Sequence, residues 1–160
     1  MNLLDSVGFY GMFIMATING LALWKQQTYL IYYFIFLFLN NLLNGTIKIL
    51  VKQPRPSGYK ELKDMDHSNY TGVHLYGMPS GHSQSVFFSL MFLWCVVRSV
   101  PLFILGLFIC AITLYQRWKY KKHSVEQLAV GAFVGSCFGY FAYYLVKTNL
   151  KNVLSRNLIL

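Results

Sequence analysis

Charged residues are scarce in this chain of 160 residues: only 5 are Asp or Glu, and charged residues make up 12% of the sequence. Soluble domains contain about 25% charged residues, so this deficit excludes an ordinary soluble domain. The hydrophobic share of 56% and the aromatic share of 18% also exclude a disordered or collagen-like chain. We therefore expect one domain, spanning residues 1–160, embedded in a membrane.

Cysteine is also rare, with Cys95, Cys110 and Cys137 all inside apolar runs. This placement is typical of buried packing residues and gives no sign of a disulfide framework. The first ten residues lack the positive region of a cleavable signal peptide. We interpret them as leading into the first retained membrane span.

Positive charge dominates what little charge there is, with 14 Lys and Arg and a formal net charge of +9. Such an excess is typical of proteins that bind nucleic acid, anionic lipid or a phosphorylated substrate. The apolar composition argues against nucleic acid and leaves membrane lipids or a phosphorylated ligand as partners.

The apolar runs predict an all-α bundle of about five transmembrane helices, because a span needs about 20 apolar residues. The expected spans are residues 6–24, 28–47, 83–97, 101–115 and 124–146, of which the third and fourth are short. Five crossings put the N-terminus and the segments 48–82 and 116–123 on one side of the membrane. The distribution of Lys and Arg gives opposing indications of which side is cytosolic, so orientation stays open.

The fifth span carries Gly131, Gly135 and Gly139 at intervals of four residues. This spacing places them on one helix face, where a neighbouring backbone can approach closely. After this span, residues 147–160 have the pattern of a basic helix lying on the membrane surface.

The first of three polar segments closes the second span with Lys48 and, seven residues later, Arg55. Two helical turns separate these positions, so Lys48 lies on the face that leads toward Arg55. Pro54 and Pro56 stop the helix and favour extended backbone at Arg55. Taken alone, the segment is also typical of basic anchoring at a membrane interface.

The second polar segment, Pro79-Ser80-Gly81-His82, opens the third span. Pro and Ser suit a helix start, and Gly81 lets a ligand approach the free backbone N–H groups there. We expect these groups to face a phosphate oxygen, with His82 beside it. An ordinary helix cap explains Ser80 equally well, but it gives the histidine no purpose.

The third polar segment runs from Arg117 to Gln127 before the fifth span. His123 and Gln127 are four residues apart and share a helix face, so the Gln127 carbonyl is able to fix the tautomer that leaves one ring nitrogen nucleophilic. A basic interfacial loop is the alternative interpretation of this segment.

Together the three segments supply cations, helix-start amides and two histidines on one side of the membrane. This set suits phosphoryl transfer without a metal ion, in which positioning and charge neutralisation do most of the work. No carboxylate cluster, cysteine pair or histidine spacing indicates a metal site or a cofactor. We interpret His67 and His74, in the intervening loop, as surface residues.

With these three motifs in order, the sequence resembles the type 2 phosphatidic acid phosphatase superfamily of membrane lipid phosphatases. The pattern Lys-x6-Arg-Pro, Pro-Ser-Gly-His and Arg-x5-His spans roughly residues 40–140. The resemblance implies that His123 is the nucleophile, forming a phosphohistidine, and that His82 is the general acid. It implies phosphate binding by the residues Lys48, Arg55, Ser80, Gly81 and Arg117, and a site at the extracytoplasmic or lumenal interface.

Gln116 and Gln127 depart from the usual pattern, since most members have Ser and Asp there. An amide stabilises an imidazolium less well than a carboxylate, so this departure predicts weaker or absent catalysis. The segment 76–84 and the Gln at position 127 are nevertheless similar to the dolichyl diphosphatase branch. That narrower resemblance implies hydrolysis of a polyprenyl, dolichyl-like, diphosphate at the lumenal face of the endoplasmic reticulum.

The leading hypothesis is therefore a metal-independent polyprenyl diphosphate phosphatase with His123, His82 and Gln127 as its catalytic set. A broader lipid phosphate phosphatase acting on phosphatidic acid is the alternative among enzymes. A catalytically weak or inactive membrane protein that binds lipid phosphates is the alternative from another class. The sequence gives no indication of oligomeric state.

Overall fold

The computed structural model folds into five α-helices and one short 3-10 helix, and it describes residues 2–58 and 72–157, with side chains through residue 150. Within these ranges the only extended pairing is an isolated antiparallel bridge between Pro54 and Tyr76. The helices are α1 (Leu3–Ala22), α2 (Gln27–Val51), α3 (Gly81–Val97), α4 (Val100–Lys119) and α5 (Val125–Asn157), with the 3-10 helix at Gly72–Leu75.

The all-α fold class and the five helices are confirmed, each helix lying where a span was expected. Two of them are longer than the apolar pattern indicated: α2 continues to Val51 and α4 continues to Lys119. Lys48 and Arg117 therefore lie on the last turns of these helices, where cations complement the helix dipole. The helix α5 continues without a break to Asn157, so residues 147–157 extend it instead of forming a separate helix.

Three helices within the described ranges are long and apolar enough to cross a membrane: Gln27–Val51, Val100–Lys119 and the Val125–Leu150 part of α5. This supports an integral membrane protein. The helix α3 is apolar but has only 17 residues. It packs against the other four helices, most closely against α5. A helix surrounded by protein does not need the length that lipid exposure demands.

A ladder of polar side chains joins α2 to α3 inside the bundle. The Gln84 amide nitrogen donates to the backbone and side-chain oxygens of Asn40, both at 3.0 Å, and the Asn44 amide donates to Gln84 Oε1 at 2.8 Å. Deeper in the bundle, the Tyr33 and Ser89 hydroxyls lie 2.8 Å apart. These hydrogen bonds form at only one axial alignment of α2 and α3. They therefore set the position of Lys48 relative to the start of α3.

The glycines of α5 bring this helix onto the α3 backbone, as their spacing predicted. A Cβ on Gly131 would lie 2.7 Å from the Ser80 carbonyl oxygen, and one on Gly139 would lie 2.6 Å from the Phe88 carbonyl oxygen. A Cβ on Gly135 would overlap the backbone of Gln84. The close approach of α3 and α5 therefore requires glycine, which has no side chain, at these three positions.

We expect Gly135→Ala to destabilise the protein by about 1–3 kcal/mol, because the new methyl group meets backbone that cannot move aside. Thermal unfolding in detergent measures this effect. Gly20→Ala is the matched control, since a Cβ there has no atom within 4 Å and alanine is the better helix former. Equal unfolding temperatures for the two variants would contradict the close-packing interpretation.

Candidate active site

One cavity of about 330 Å³ brings the three polar segments together. Six of the predicted site residues line it. They lie at the C-terminal ends of α2 and α4, in the segments that follow these two helices, and at the start of α3. The helices α1 and α2 close one side of the cavity. Its lining consists of Met12, Asn41, Asn44, Gly45, Lys48, Arg55, Val73, His74, Gly81, His82, Arg117 and His123.

The first-segment cations are held by backbone carbonyl groups. Lys48 is 4% exposed, and its Nζ donates to the Tyr76 carbonyl at 2.7 Å. Arg55 donates through Nε to the His74 carbonyl at 2.9 Å and through Nη1 to the Lys122 carbonyl at 2.8 Å. A carbonyl carries no net charge, so these hydrogen bonds orient the two cations without neutralising them.

The hydrogen bonds of His123 define its tautomer. Its Nδ1 lies 2.9 Å from the Gly77 carbonyl oxygen and 3.3 Å from Gln127 Oε1, and both of these atoms only accept. Its Nε2 lies 3.2 Å from Arg55 Nη1, which only donates. The proton is therefore on Nδ1, and Nε2 carries the lone pair that a nucleophile needs, which accepts from Arg55 in this structure.

Burial, together with the charges of Arg55 and Lys48, holds the pKa of His123 well below its ordinary value of 6.5. The side chain is 5% exposed, so its charged form loses most of its hydration. At neutral pH the imidazole is therefore neutral and ready to attack.

This shift predicts the pH dependence of kcat/KM. On the acid side, kcat/KM falls as His123 becomes protonated and loses its nucleophilic lone pair. Because the neutral form of His123 persists below pH 6.5, this acid limb of the profile lies below that value. Arg55→Gln removes a cation that lowers this pKa, so we expect the acid limb to move to higher pH. Substrate ionisation is the same for both proteins and cancels in the comparison. A limb that stays in place would contradict this assignment.

His82 forms a second histidine and arginine pair across the cavity. Its Nε2 lies 2.7 Å from Arg117 Nη2, so in the structure this nitrogen accepts from the guanidinium. Arg117 is buried, with 4% exposure, on the last turn of α4. A phosphate entering the cavity offers both arginines a stronger, charged acceptor than an imidazole nitrogen. Its arrival would therefore release the two histidines for chemistry.

Gln127 forms a reciprocal cap at the start of α5. Its backbone N–H donates to Ser124 Oγ at 3.3 Å, and its Oε1 accepts from the Ser124 N–H at 3.2 Å. Its Nε2 donates to the Pro54 carbonyl at 2.8 Å and to Gln53 Oε1 at 2.9 Å. The amide therefore caps a helix and ties the first polar segment to the third, and a carboxylate could not provide the two donated bonds.

We expect Gln127→Asp to lower the rate of phosphate release about tenfold, although Asp is usual at this position in the superfamily that the sequence resembles. The shorter carboxylate loses the bonds to Pro54 and Gln53 and faces two oxygen atoms, which costs about 1–3 kcal/mol for unsatisfied buried groups. Steady-state kinetics on the purified protein measure the change. Gln127→Glu is the companion variant, because it keeps the length and loses only the donors. A higher kcat in Gln127→Asp would show that the glutamine is a catalytic defect.

Ser80 lies behind the cavity, while its neighbour Gly81 lines it. Ser80 is fully buried as the N-cap of α3, where its Oγ accepts from the Ser83 N–H at 3.4 Å. Its own N–H donates to the Gln127 carbonyl at 3.0 Å. In this arrangement Ser80 orients the start of α3, and the phosphate contact predicted for it stays a prediction.

His74 is exposed, as expected for a surface residue, but it also lines the cavity and its carbonyl holds Arg55. His67 lies outside the described residues. Among residues 2–58 and 72–157, no three His, Cys, Asp or Glu side chains come together to hold a metal ion. Metal independence stays a prediction.

Sequence reasoning missed the contributions of Gly77, Gln53 and Asn44. The Asn44 amide donates to the Pro79 carbonyl at 3.2 Å, and its position one helical turn before Lys48 was a usable signal. The pattern Ser124-x-x-Gln127 also indicated a capping box. No local signal marks Gly77, because it acts through a backbone carbonyl.

Comparison with known proteins gives a consistent result. A family model described as the PAP2 superfamily matches residues 28–151. Dolichyldiphosphatase 1 of Dictyostelium discoideum is 28% identical over 138 residues, which cover 79% of this chain and 56% of that protein. The dolichyldiphosphatase of Saccharomyces cerevisiae is 30% identical over 122 residues, covering 68% and 48%.

A chloroplastic relative, lipid phosphate phosphatase epsilon 1 of Arabidopsis thaliana, is 27% identical over 158 residues, covering 94% of this chain and 50% of that protein. The chain thus spans about half the length of the curated relatives it matches. No solved structure matches it.

Proposed function

Because this chain belongs to the PAP2 superfamily, we propose that it is a lipid phosphatase whose substrate is a polyprenyl, dolichyl-like, diphosphate. The observation that carries the proposal is the cavity in which two histidines stand among Lys48, Arg55 and Arg117. These cations match the charge of a phosphoryl group, and the similar dolichyldiphosphatases favour the diphosphate.

In the first step, His123 Nε2 attacks the terminal phosphorus of the diphosphate. The new N–P bond forms as the P–O bond to the lipid monophosphate breaks. His82, which takes up a proton on Nε2 once Arg117 turns to the phosphate, gives that proton to the departing oxygen. Lys48, Arg55 and Arg117 bind the equatorial oxygens, where charge accumulates in the transition state. The Gly77 carbonyl keeps the proton on Nδ1 and stabilises the charge that develops on the His123 ring.

In the second step, water attacks the phosphohistidine while His82 accepts one of its protons. The N–P bond breaks, inorganic phosphate leaves, and both histidines return to their starting states. One water is consumed for each lipid diphosphate converted to lipid monophosphate and phosphate. No metal ion is needed, because the arginines and the lysine neutralise the charge. We propose the lumenal face of an endoplasmic reticulum membrane as the place of the reaction, which the sequence resemblance to the dolichyl diphosphatase branch implies.

Broader action on phosphatidic acid and related lipids is the second candidate. The lipid phosphate phosphatase of Arabidopsis thaliana supports it, since that similarity extends over 94% of this chain. Both candidates use the same histidines and cations. They differ only in the group attached to the released phosphate, which is a lipid monophosphate in one candidate and a lipid alcohol in the other.

Phosphate release by the purified protein in detergent, with excess EDTA, tests the proposal. We expect release from polyprenyl diphosphate that persists in EDTA, with a higher kcat/KM than for phosphatidic acid in direct competition. Equal or better use of phosphatidic acid would favour the broader enzyme. Activity lost in EDTA and restored by Mg²⁺ would contradict metal independence. Binding of these lipids without any phosphate release would overturn catalysis and leave a lipid-phosphate-binding protein.

A further inference from the structure

The helix α1 reaches the active site although it lies outside residues 28–151, the part matched by the family model. Its residue Phe9 lies beside two residues that line the cavity, Arg117 and His82. The Arg117 guanidinium carbon lies 5.1 Å from the centre of the Phe9 ring, which is within cation–π range. The rings of Phe9 and His82 have their centres 6.3 Å apart.

The Phe9 ring thus neighbours both partners of one hydrogen bond, since Arg117 Nη2 lies 2.7 Å from His82 Nε2. Because His82 Nε2 accepts from Arg117, the proton of the neutral ring is on Nδ1. The position of Arg117 therefore sets the tautomer of His82. Each histidine of the cavity has its Nε2 facing an arginine.

Close packing of α1 on α4 holds Phe9 in this place. A Cβ on Gly8 would lie 2.5 Å from Gln116 Cβ, and one on Gly11 would overlap the Thr113 hydroxyl. Asp5, which is 4% exposed, accepts from Lys119 Nζ at 2.9 Å and from the Tyr120 hydroxyl at 2.9 Å. These contacts surround Phe9 in the sequence and leave α1 little freedom to slide along α4.

We propose that Phe9 is a positioning residue of the active site, whose ring carries the Arg117 guanidinium and through it orients His82. This inference rests on the proposed function, because it assigns Phe9 to the step in which the leaving oxygen is protonated. Without the aromatic face, Arg117 loses a support on the side away from the phosphate. His82 Nε2 then loses its alignment with the leaving oxygen.

The leaving group gives this proposal a specific signature. The lipid alcohol that leaves phosphatidic acid needs a proton as it departs, whereas p-nitrophenolate departs readily as an anion, as does the lipid monophosphate that leaves a diphosphate. Misalignment of His82 therefore slows phosphatidic acid hydrolysis more than that of p-nitrophenyl phosphate. General loosening of the bundle would slow both substrates alike.

The test compares Phe9→Leu, which keeps the apolar bulk, with Phe9→Tyr, which keeps the ring. Phe13→Leu is the matched control, because Phe13 lies one turn further along α1 and is 57% exposed. For Phe9→Leu we expect kcat on phosphatidic acid to fall at least about fivefold. The fall on p-nitrophenyl phosphate should be smaller, and Phe9→Tyr should restore most of the activity on the lipid.

The proposal is overturned if Phe9→Leu behaves like Phe13→Leu, or if it loses both activities in equal proportion. Gly8→Ala provides a second route, because it moves the α1 backbone without changing the Phe9 ring. We expect it to show the same selective loss on the lipid substrate. The proposed function fails separately, if the unaltered protein releases no phosphate or if His123→Ala remains active.

Discussion

Replacing His123 with alanine is expected to reduce phosphate release by at least about 1,000-fold, because the variant has no atom to form the covalent intermediate. The cations that bind the phosphate remain, so substrate binding should persist. The measurement is a single-turnover assay with a lipid diphosphate labelled in the terminal phosphate, with EDTA present throughout. The unaltered protein should acquire an acid-labile phosphoryl label, and His123→Ala should acquire none.

The matched control is Phe133→Ala, which shortens a side chain that is 70% exposed on α5. It should retain both the label and the turnover. Release that survives in His123→Ala would assign the nucleophile to another residue or directly to water. A label that appears on His123→Ala would exclude this histidine as its site of attachment.

Replacing His82 with asparagine is expected to lower kcat on phosphatidic acid, whose leaving group is an aliphatic alcohol, by about 100-fold to 10,000-fold, the usual contribution of a general acid. Asparagine keeps a polar group near Arg117, so the phosphate site should survive and KM should change little. On p-nitrophenyl phosphate the loss should be below about tenfold, because that leaving group needs little protonation.

Parallel kinetics on the two substrates decide this assignment. Equal losses on both would show that His82 binds phosphate or supports the fold instead of protonating the leaving group. His123→Ala provides the internal comparison, because loss of the nucleophile removes activity on both substrates. The ratio of the two activities therefore separates the roles of the two histidines.

Much of the site could be predicted from the sequence because its motifs sit at helix ends. Five helices of alternating direction bring Lys48, His82 and His123 to one end of the bundle, and the structure places all three around one cavity. Spacing alone carried this prediction, since no long-range side-chain contact had to be known.

The remainder depended on contacts between distant parts of the chain. Gly77 acts on His123 through its backbone carbonyl, and a backbone group leaves no trace in residue type. Ser80 resembles a phosphate ligand in sequence, yet close packing of α5 on α3 encloses it. The extra turns of α2 and α4 were missed because polar residues end an apolar run before they end a helix.

The polar ladder along α3 has a consequence for biogenesis. Gln84, Ser85 and Ser89 are buried against α2 in the finished bundle, but lipid would surround them if α3 entered the bilayer alone. Polar groups are costly in the hydrocarbon core without partners, and a helix of 17 residues hardly spans it. Integration of α3 should therefore wait for its neighbours, so that the helix bearing His82 joins a scaffold that is already inserted.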